Sequence, residues 1–353
     1  MKGGYNLYNI RQQKILDFLK LHKTASRAVL QEYIAKLFPS KNSRITLIRD
    51  LDLLVKDGNI VKSGKAKATL YSYLLSTILE EINVETYFSK EQDERVLKSE
   101  YFNFEIFNGL KNLLSENEKE ELSQINEVYI KNRNALSPAI LKKEFERLTI
   151  ELSWKSSQIE GNTYSLLDTE RLIKEHKEAQ GKTKEEAVMI LNHKRALDFI
   201  YSDAAYFKKI TISKIEDIHR LLIGGLGVSF GLRKNKVGIT GTNYRPLDNV
   251  HQIREAVEKL IEIINQTKNP IEKSLIAVVM ISYIQPFEDG NKRTARILGD
   301  ALLLANDFCP LSYRSVQEVE YKKAVTLFYE QNNISYFKKL FIEQFKQAVE
   351  KYF

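Results

Sequence analysis

The sequence predicts a mainly α protein that begins with a small α+β domain. Apolar residues recur at helical spacing through most of the 353 residues, and capping-box patterns precede several of these stretches. Two short β-prone runs joined by a Gly/Lys-rich tip lie within NIVKSGKAKATLYSYL, near the amino terminus. At about 150 residues per domain, the length favours two or three domains.

Composition and charge are those of a folded protein. Apolar residues make up 43% and charged residues 28% of the chain. The longest nearly unbroken apolar run, Leu275 to Ile284, is about half a membrane span and predicts a buried helix. The start lacks an export signal, and Cys309 is the only cysteine, so intrachain disulfides are excluded. A cytoplasmic protein without membrane contact is expected.

The positive charge is concentrated in the first 80 residues. They hold 14 Lys and Arg against 6 Asp and Glu, which accounts for the whole net charge of +8. Helical spacing predicts a first helix within 11–21 and a second from Val29 to Leu37, which Pro39 ends. Ser43 can cap a third helix, and the Asp57-Gly58 turn leads into the β-prone runs.

Residues 1–80 therefore resemble a winged helix-turn-helix domain. The resemblance implies that the third helix enters the major groove through Arg44 and Arg49, while Lys62, Lys65 and Lys67 contact phosphates. Winged helices also serve as dimerisation or protein-docking modules, and a basic segment can be a solvated face. DNA and a second copy of the chain therefore remain open as partners.

Residues 81–114 are interpreted as a connector, and residues 115–353 as a helical domain. Three pairs have capping-box spacing: Ser165 with Asp168, Thr183 with Glu186, and Ser213 with Glu216. The stretch KVGITGTNYRPL interrupts the helices, and its glycines favour a short β-hairpin.

The stretch QPFEDGNKRTAR predicts a phosphate-binding loop that opens a helix. Gly290 permits close backbone approach, and the N–H groups of a helix start favour an anion. Asn291 offers an amide donor, and Arg293 and Arg296 lie three apart on one helical face. Asp289 is the natural Mg²⁺ ligand, because a nucleotide site typically binds that ion through one carboxylate plus phosphate oxygens.

These residues resemble the signature of the Fic (Fido) family, His-x-Phe-x-Asp/Glu-Gly-Asn-Gly/Lys-Arg-x-x-Arg. The chain matches it at seven positions: Phe287, Asp289, Gly290, Asn291, Lys292, Arg293 and Arg296. The resemblance covers roughly residues 115–350. It implies transfer of AMP from Mg²⁺-bound ATP to a hydroxyl side chain of a target protein. Lys292 also occurs in the related Doc toxins, so the transferred group is not fixed by the motif.

The resemblance also assigns roles outside the signature. Tyr321 falls where relatives have a tyrosine near the adenine, although packing alone also explains a tyrosine on an amphipathic helix. The glycine-containing stretch resembles the flap that clamps a target peptide, formed here by Gly238, Ile239, Thr240, Gly241 and Thr242.

The stretch SSQIEGN resembles the family's inhibitory motif. Ser156 and Glu160 lie one turn apart near the end of a helix predicted over about 144–161, and Gly161 fits the position after its end. The resemblance implies that Glu160 pairs with Arg296 and withholds it from the nucleotide, so that the protein is autoinhibited.

Gln285 departs from the signature, because it occupies the position of the histidine that acts as general base. A carboxamide has no useful proton affinity near neutral pH, so transfer is expected to be impaired. His219 lies on a helical pattern and is expected to be structural. Two alternatives stay open: a DNA-bound regulator that senses nucleotide without turnover, and removal of AMP from modified targets.

Overall fold

The computed structural model describes residues 9–39, 43–56, 59–64, 68–73 and 78–353. The chain divides into two compact units, residues 1–81 and residues 82–353.

The amino-terminal unit is a small α+β fold, as predicted. Its helices are Ile10–His22, Arg27–Leu37 and Arg44–Lys56, and its strands are Thr24–Ser26, Ile60–Ser63 and Leu70–Tyr73. The third strand lies between the other two and is antiparallel to both. The helices bury their apolar faces in one core that includes Leu19, Leu30 and Leu51. Strand Thr24–Ser26 was not expected from the sequence, and the Asp57-Gly58 turn lies outside the described residues.

The larger unit is mainly helical, which confirms the predicted fold class. A short helix, Val84–Phe88, lies in the connector, residues 81–114. The remaining helices are Glu116–Ala135, Pro138–Ile159, Leu166–Glu175, Lys184–Ser202, Ile212–Ile223, Val250–Gln266, Pro270–Ile284, Asn291–Leu304, Glu318–Gln331 and Ser335–Tyr352.

The core of this unit is built around one apolar helix. Pro270–Ile284, hereafter the central helix, is buried from Ser274 to its end, as its sequence predicts. It packs along Asn291–Leu304, the motif helix, and Ser274 Oγ donates a hydrogen bond to the Gly299 carbonyl at 2.9 Å. The loop between these two helices is consequently held at both ends.

Two of the three predicted capping boxes are present. Ser165 and Thr183 each bond the backbone three residues on, and Asp168 and Glu186 bond back. The prediction of a cap at Ser213 is wrong, because Thr211 Oγ1 accepts a hydrogen bond from the Lys214 N–H and the helix begins at Ile212. Ile210 and Ile215 are both buried at the spacing of a hydrophobic staple, which favours this earlier start.

Two other segments differ in detail from the prediction. The helix expected over about 144–161 begins at Pro138, since Ser137 caps it, and ends at Ile159. Residues 237–244, hereafter the flap, form a loop with a turn at Thr240 and Gly241, without strand pairing inside the segment. Within the described ranges, the helices are all too short or too polar to cross a bilayer.

Candidate active site

The loop between the central helix and the motif helix starts at Gln285. This residue ends the central helix in the left-handed conformation, with φ of 51°, and its N–H donates to the Ile281 carbonyl. Arg233 fixes the turn from outside: its Nε donates to the Gln285 carbonyl at 2.6 Å, and its N–H donates to the Pro286 carbonyl at 2.9 Å. Arg233, which sequence reasoning missed, therefore joins the base of the flap to the loop.

Phe287 and Asn291 give the loop its shape. The Phe287 ring stacks on the His219 ring with centroids 3.7 Å apart. Asn291 Oδ1 accepts from the Phe287 N–H and Asn291 Nδ2 donates to the Phe287 carbonyl, both at 2.8 Å. The amide predicted to face a ligand thus holds the loop, with one Nδ2 hydrogen left for another acceptor.

His219 supports the same loop from beneath. Its Nε2–H donates to the Asp289 carbonyl at 3.0 Å, and burial lowers its pKa to about 4. A neutral ring that is occupied in this way is structural, as the sequence suggested.

Gly290 starts the motif helix and leaves its first turn open. Its φ is +78°, and an added Cβ would lie 3.1 Å from Ile223 Cγ2. No side chain of the described residues caps this helix start. The first-turn N–H groups and the helix dipole are therefore directed at whatever anion lies before Gly290.

Two buried guanidinium groups stand on the motif helix behind this turn. Arg293 Nη2 donates to Asp289 Oδ2 at 2.6 Å, while the Asp289 side chain is 63% exposed. Among the described residues, Arg293 Nη1 and Arg296 Nη1 are buried without a hydrogen-bond partner. Because a buried donor without a partner is costly, these two atoms mark places where a ligand oxygen would be stabilised.

Arg296 is bound to the helix Pro138–Ile159, hereafter the Glu160 helix. Its Nε donates to Ser156 Oγ at 2.9 Å, and its Nη2 donates to the Ser156 carbonyl at 3.0 Å and to Glu160 Oε1 at 2.8 Å. Glu160 directly follows the last helical residue, and Gly161 then turns the chain with φ of +95°. The structure thus brings together the three residues of the predicted inhibitory motif and Arg296.

His193, for which the sequence predicts no role, supports this contact by bonding Ser156. His193 Nδ1–H donates to the Met189 carbonyl at 2.9 Å, so Nε2 carries the lone pair. Nε2 therefore accepts the Ser156 hydroxyl proton at 2.8 Å, which leaves Ser156 Oγ to accept from Arg296. Burial lowers the pKa of His193 to about 3, and the ring stays neutral.

Electrostatics keep Glu160 ionised. Burial raises its pKa, but Arg296 and then Lys292 outweigh burial, and the net pKa lies below the ordinary value. Lys292 Nζ stands 3.9 Å from Glu160 Oε2. Burial likewise disfavours the charged form of Arg296, but Tyr321 and Glu160 raise its pKa further above the ordinary range.

A cavity of about 580 Å³ opens beside these groups. It is lined by parts of the connector, the flap, the loop and the helix Glu318–Gln331, hereafter the wall helix. Of the predicted nucleotide-binding residues, Gly290, Asn291, Lys292 and Tyr321 line it, whereas the buried Arg293 and Arg296 do not. Of the predicted flap residues, Gly238, Ile239, Thr240 and Gly241 line it and Thr242 does not.

Tyr321 reaches the cavity with its buried ring under a cation. The Arg296 guanidinium lies 5.3 Å from the ring centroid, a cation–π distance. The ring therefore contacts Arg296, and its place near an adenine stays a prediction.

Gln285 lines the cavity between the loop and the wall helix. Its Nε2 donates to the Ser282 carbonyl at 2.6 Å. An amide oxygen can accept a hydrogen bond from a hydroxyl group in the cavity, but it cannot remove the proton.

The residues proposed for DNA contact belong to the amino-terminal unit. Arg44, Arg49 and Lys62 are exposed, and Lys65 and Lys67 lie outside the described residues. Arg44 and Lys62 line a groove that also includes Arg27 and Ser26, at the start of the helix Arg27–Leu37.

Residues 209–303 match the model of the Fic/DOC family. The chain contains a Fic/DOC domain. The matched residues include Gln285, the complete loop and the motif helix as far as Leu303.

Proteins named protein adenylyltransferase Fic are similar to this chain at modest identity. The protein from Drosophila erecta is 26% identical over 188 residues, which are 52% of this chain and 38% of the relative. The protein from Nematostella vectensis is 28% identical over 190 residues, 51% of this chain and 43% of the relative. The chain thus spans about two fifths of the length of these relatives. The name adenylyltransferase describes those proteins.

Solved structures share the fold of the Fic/DOC domain. Fic-1, residues 134–508, from C. elegans has a TM-score of 0.57 at 16% identity. The match covers 98% of this chain and 98% of Fic-1. A Fic domain containing signaling protein from Bacteroides thetaiotaomicron has a TM-score of 0.55 at 19% identity. The match covers 65% of this chain and 95% of that protein's chain. At these identities the likeness concerns the fold.

The residues around Gly290 fit a magnesium-bound phosphate chain. The unpartnered Nη1 atoms of Arg293 and Arg296 would hold phosphate oxygens, and the exposed Asp289 carboxylate would hold the ion. A site with one carboxylate suits Mg²⁺, which is usually bound jointly by one or two carboxylates and substrate phosphates. The described residues contain no group of three or more His, Cys, Asp or Glu side chains that could bind a metal without a substrate.

Proposed function

We propose that this protein binds Mg²⁺-bound ATP and transfers AMP to a hydroxyl side chain of a target protein, under restraint by Glu160. The observation that carries the proposal is the state of the Arg296 guanidinium, which lies beside an uncapped helix start. It donates hydrogen bonds to Glu160 and Ser156, while its Nη1 has no partner among the described residues. The pattern is that of an anion site whose second cation is withheld.

The anion site is built from complementary parts. The first turn of the motif helix supplies N–H groups and a dipole, and Arg293 supplies a buried cation. Lys292, which lines the cavity, adds a flexible charge at the rim. Magnesium, when bound, would spread the negative charge of the phosphates, and Asp289 would hold it.

Transfer requires that a target hydroxyl oxygen forms a bond to the α-phosphorus while the bond to the pyrophosphate breaks. The hydroxyl proton must leave to solvent, because the Gln285 amide can orient the hydroxyl but has no basic site. The absence of a general base typically costs about 10² to 10⁴ in rate. Positioning and electrostatic stabilisation do not depend on Gln285, so slow transfer is the expected activity.

The Glu160 contact restrains this activity. Glu160 neutralises Arg296 and occupies its Nη2, so a nucleotide phosphate that needs this cation cannot be held in the pose that suits attack. Arg296 is held in this way through its hydrogen bonds to Ser156 as well as to Glu160.

Radiolabelled ATP tests the proposed reaction. The wild-type chain, Glu160→Gly, Gln285→His and the double variant that combines both substitutions would each be incubated with cell extract, and protein-bound label would be measured. The double variant is expected to label most strongly, by about 10² to 10⁴ over Glu160→Gly alone. Equal labelling by Glu160→Gly and the double variant would contradict the role assigned to position 285.

A second candidate function concerns the amino-terminal unit: we propose that it binds DNA. A groove of about 780 Å³ brings Arg27, Arg44 and Lys62 together beside the helix start at Ser26. The three cations come from a helix start, a second helix and a strand, and they surround one groove. This arrangement suits the binding of phosphates.

A gel-shift titration across salt concentrations tests this candidate. Binding that weakens steeply with salt, and that Arg44→Ala weakens, is expected. Arg171→Ala, an exposed helical arginine of the larger unit, is the control. Absence of binding at low salt would refute the candidate without affecting the proposal for the Fic/DOC domain.

A further inference from the structure

The connector contributes two residues to the wall of the cavity. Phe88 and Arg95 both line it, together with flap residues and residues of the wall helix. The Arg95 guanidinium lies 5.3 Å from the Phe88 ring centroid. The segment is therefore part of the site and more than a link between two domains.

Arg95 joins the flap to the wall helix. Its Nε donates to Glu330 Oε2 at 3.0 Å, and its Nη2 donates to Glu330 Oε1 at 3.1 Å and to the Gly241 carbonyl at 2.6 Å. Gly241 is the second residue of the flap turn, and Glu330 lies near the end of the wall helix. One guanidinium thus bonds both to the flap and to the wall helix, two elements that line the cavity.

Glu330 is committed to the connector. Its side chain is fully buried and also accepts from the Tyr87 hydroxyl at 2.7 Å, while its carbonyl accepts from the Lys98 N–H. A buried carboxylate with these partners has little freedom to move. Arg95 is consequently anchored on the wall helix side, and the flap is the element that it positions.

The connector bonds to one further residue of the flap and to the residue that directly follows it. Gln92 Nε2 donates to Asn243 Oδ1 at 2.7 Å, and the Arg245 N–H, just beyond the flap, donates to the Glu100 carbonyl at 2.7 Å. These ties and the Arg95 bond occur at alternate residues, 241, 243 and 245. Since the flap has no strand pairing of its own, the connector defines its position.

We infer that Arg95 is a positioning residue of the active site, which holds the flap turn over the cavity and so sets the affinity for nucleotide. This inference rests on the proposed nucleotide function, but the flap position can be measured without a ligand. Arg95→Met alone would leave Glu330 as a buried, unpaired carboxylate and could unfold the protein. Arg95→Met with Glu330→Gln removes the tie together with that charge.

The experiment uses the full chain with Glu160→Gly as background. Hydrogen exchange of residues 237–243 and calorimetric binding of Mg²⁺-bound ATP would be measured for the Arg95→Met, Glu330→Gln variant and for Arg95→Lys. Arg133→Met is the control, because Arg133 also combines an ion pair with a cation–π contact, to Asp307 and Tyr129, and does not line the cavity.

The expected result is faster exchange across the flap and about tenfold or more weaker nucleotide binding, since a hydrogen bond from a charged donor is lost. Arg95→Lys should recover part of the flap's protection from exchange and part of the nucleotide affinity, because one ammonium can reach either Glu330 or the Gly241 carbonyl. Flap exchange equal to that of Arg133→Met would overturn the inference. If the background itself fails to bind nucleotide, the proposed function fails, and flap exchange still decides the role of Arg95.

Discussion

Arg296 and Glu160 are 136 residues apart in sequence, yet a hydrogen bond of 2.8 Å joins their side chains. Arg296 is fully buried, and its remaining bonds go to Ser156, one turn before Glu160. The end of one helix thereby controls a cation on another.

Ser156→Ala should loosen the contact. The substitution removes the acceptor of the Arg296 Nε bond and the hydroxyl that bonds His193. A lost hydrogen bond to a charged group is worth roughly a factor of ten in an equilibrium, so binding of Mg²⁺-bound ATP should tighten by about that factor.

Ser157→Ala is the matched control for Ser156→Ala. Its hydroxyl lies on the same helix and, within the described part of the chain, bonds His193 at 3.4 Å and not Arg296. Calorimetry should show no change for this variant. Equal tightening by both substitutions would mean that the helix as a whole, and not the Ser156 hydroxyl, restrains Arg296.

Gly290→Ala should damage the loop. The new Cβ would require a strained φ of +78° and would press on Ile223. Gly181→Ala is the control, since its φ of +76° carries the same strain in open space. Thermal unfolding should show a loss of about 1 kcal/mol for the control and roughly 1 to 3 kcal/mol more for Gly290→Ala. Equal losses would show that the contact with Ile223 is relieved without cost.

The buried histidines should make the fold sensitive to acid. His193, with a folded pKa of about 3, binds no proton where an unfolded histidine already does, so lower pH favours the unfolded chain. Its stabilising contribution is complete above about pH 6.5 and declines by roughly 1 kcal/mol per pH unit as pH falls toward 3.

His193→Gln tests this dependence, because its amide oxygen can replace Nε2 as the acceptor from Ser156. Denaturant unfolding between pH 7 and pH 4 should give a shallower loss of stability for the variant than for the wild type. Parallel curves would show that His193 does not set the acid sensitivity. His219, whose pKa is lowered to about 4, contributes to the dependence that remains in the variant.

Local patterns in the sequence predicted the pieces of the site better than their connections. Gly290 and Gly161 both adopt the left-handed conformation that their turns demand, and the apolar run before Gln285 forms the buried central helix. These features depend on neighbouring residues alone. The cap at Thr211 was missed because two hydroxyl residues compete there, and burial of Ile210 decides between them.

The supporting residues could not have been found from local patterns. His193 has no distinctive neighbours in sequence, and its role arises because its helix packs against the Glu160 helix. Arg95 belongs to a connector with mixed composition, and its partners lie 146 and 235 residues away. Hydrogen bonds over such separations carry no periodic signal.

Isothermal titration of the folded Glu160→Gly variant with Mg²⁺-bound ATP tests the central claim most directly. Glu175→Gly, which also removes a glutamate at a helix end, is the control and should behave as the wild type. We expect the Glu160→Gly variant to bind at least about tenfold more tightly than the wild type, because Arg296 is released to the phosphates. No binding heat with any magnesium nucleotide would contradict the claim that the first turn of the motif helix, Arg293 and Arg296 form a phosphate site.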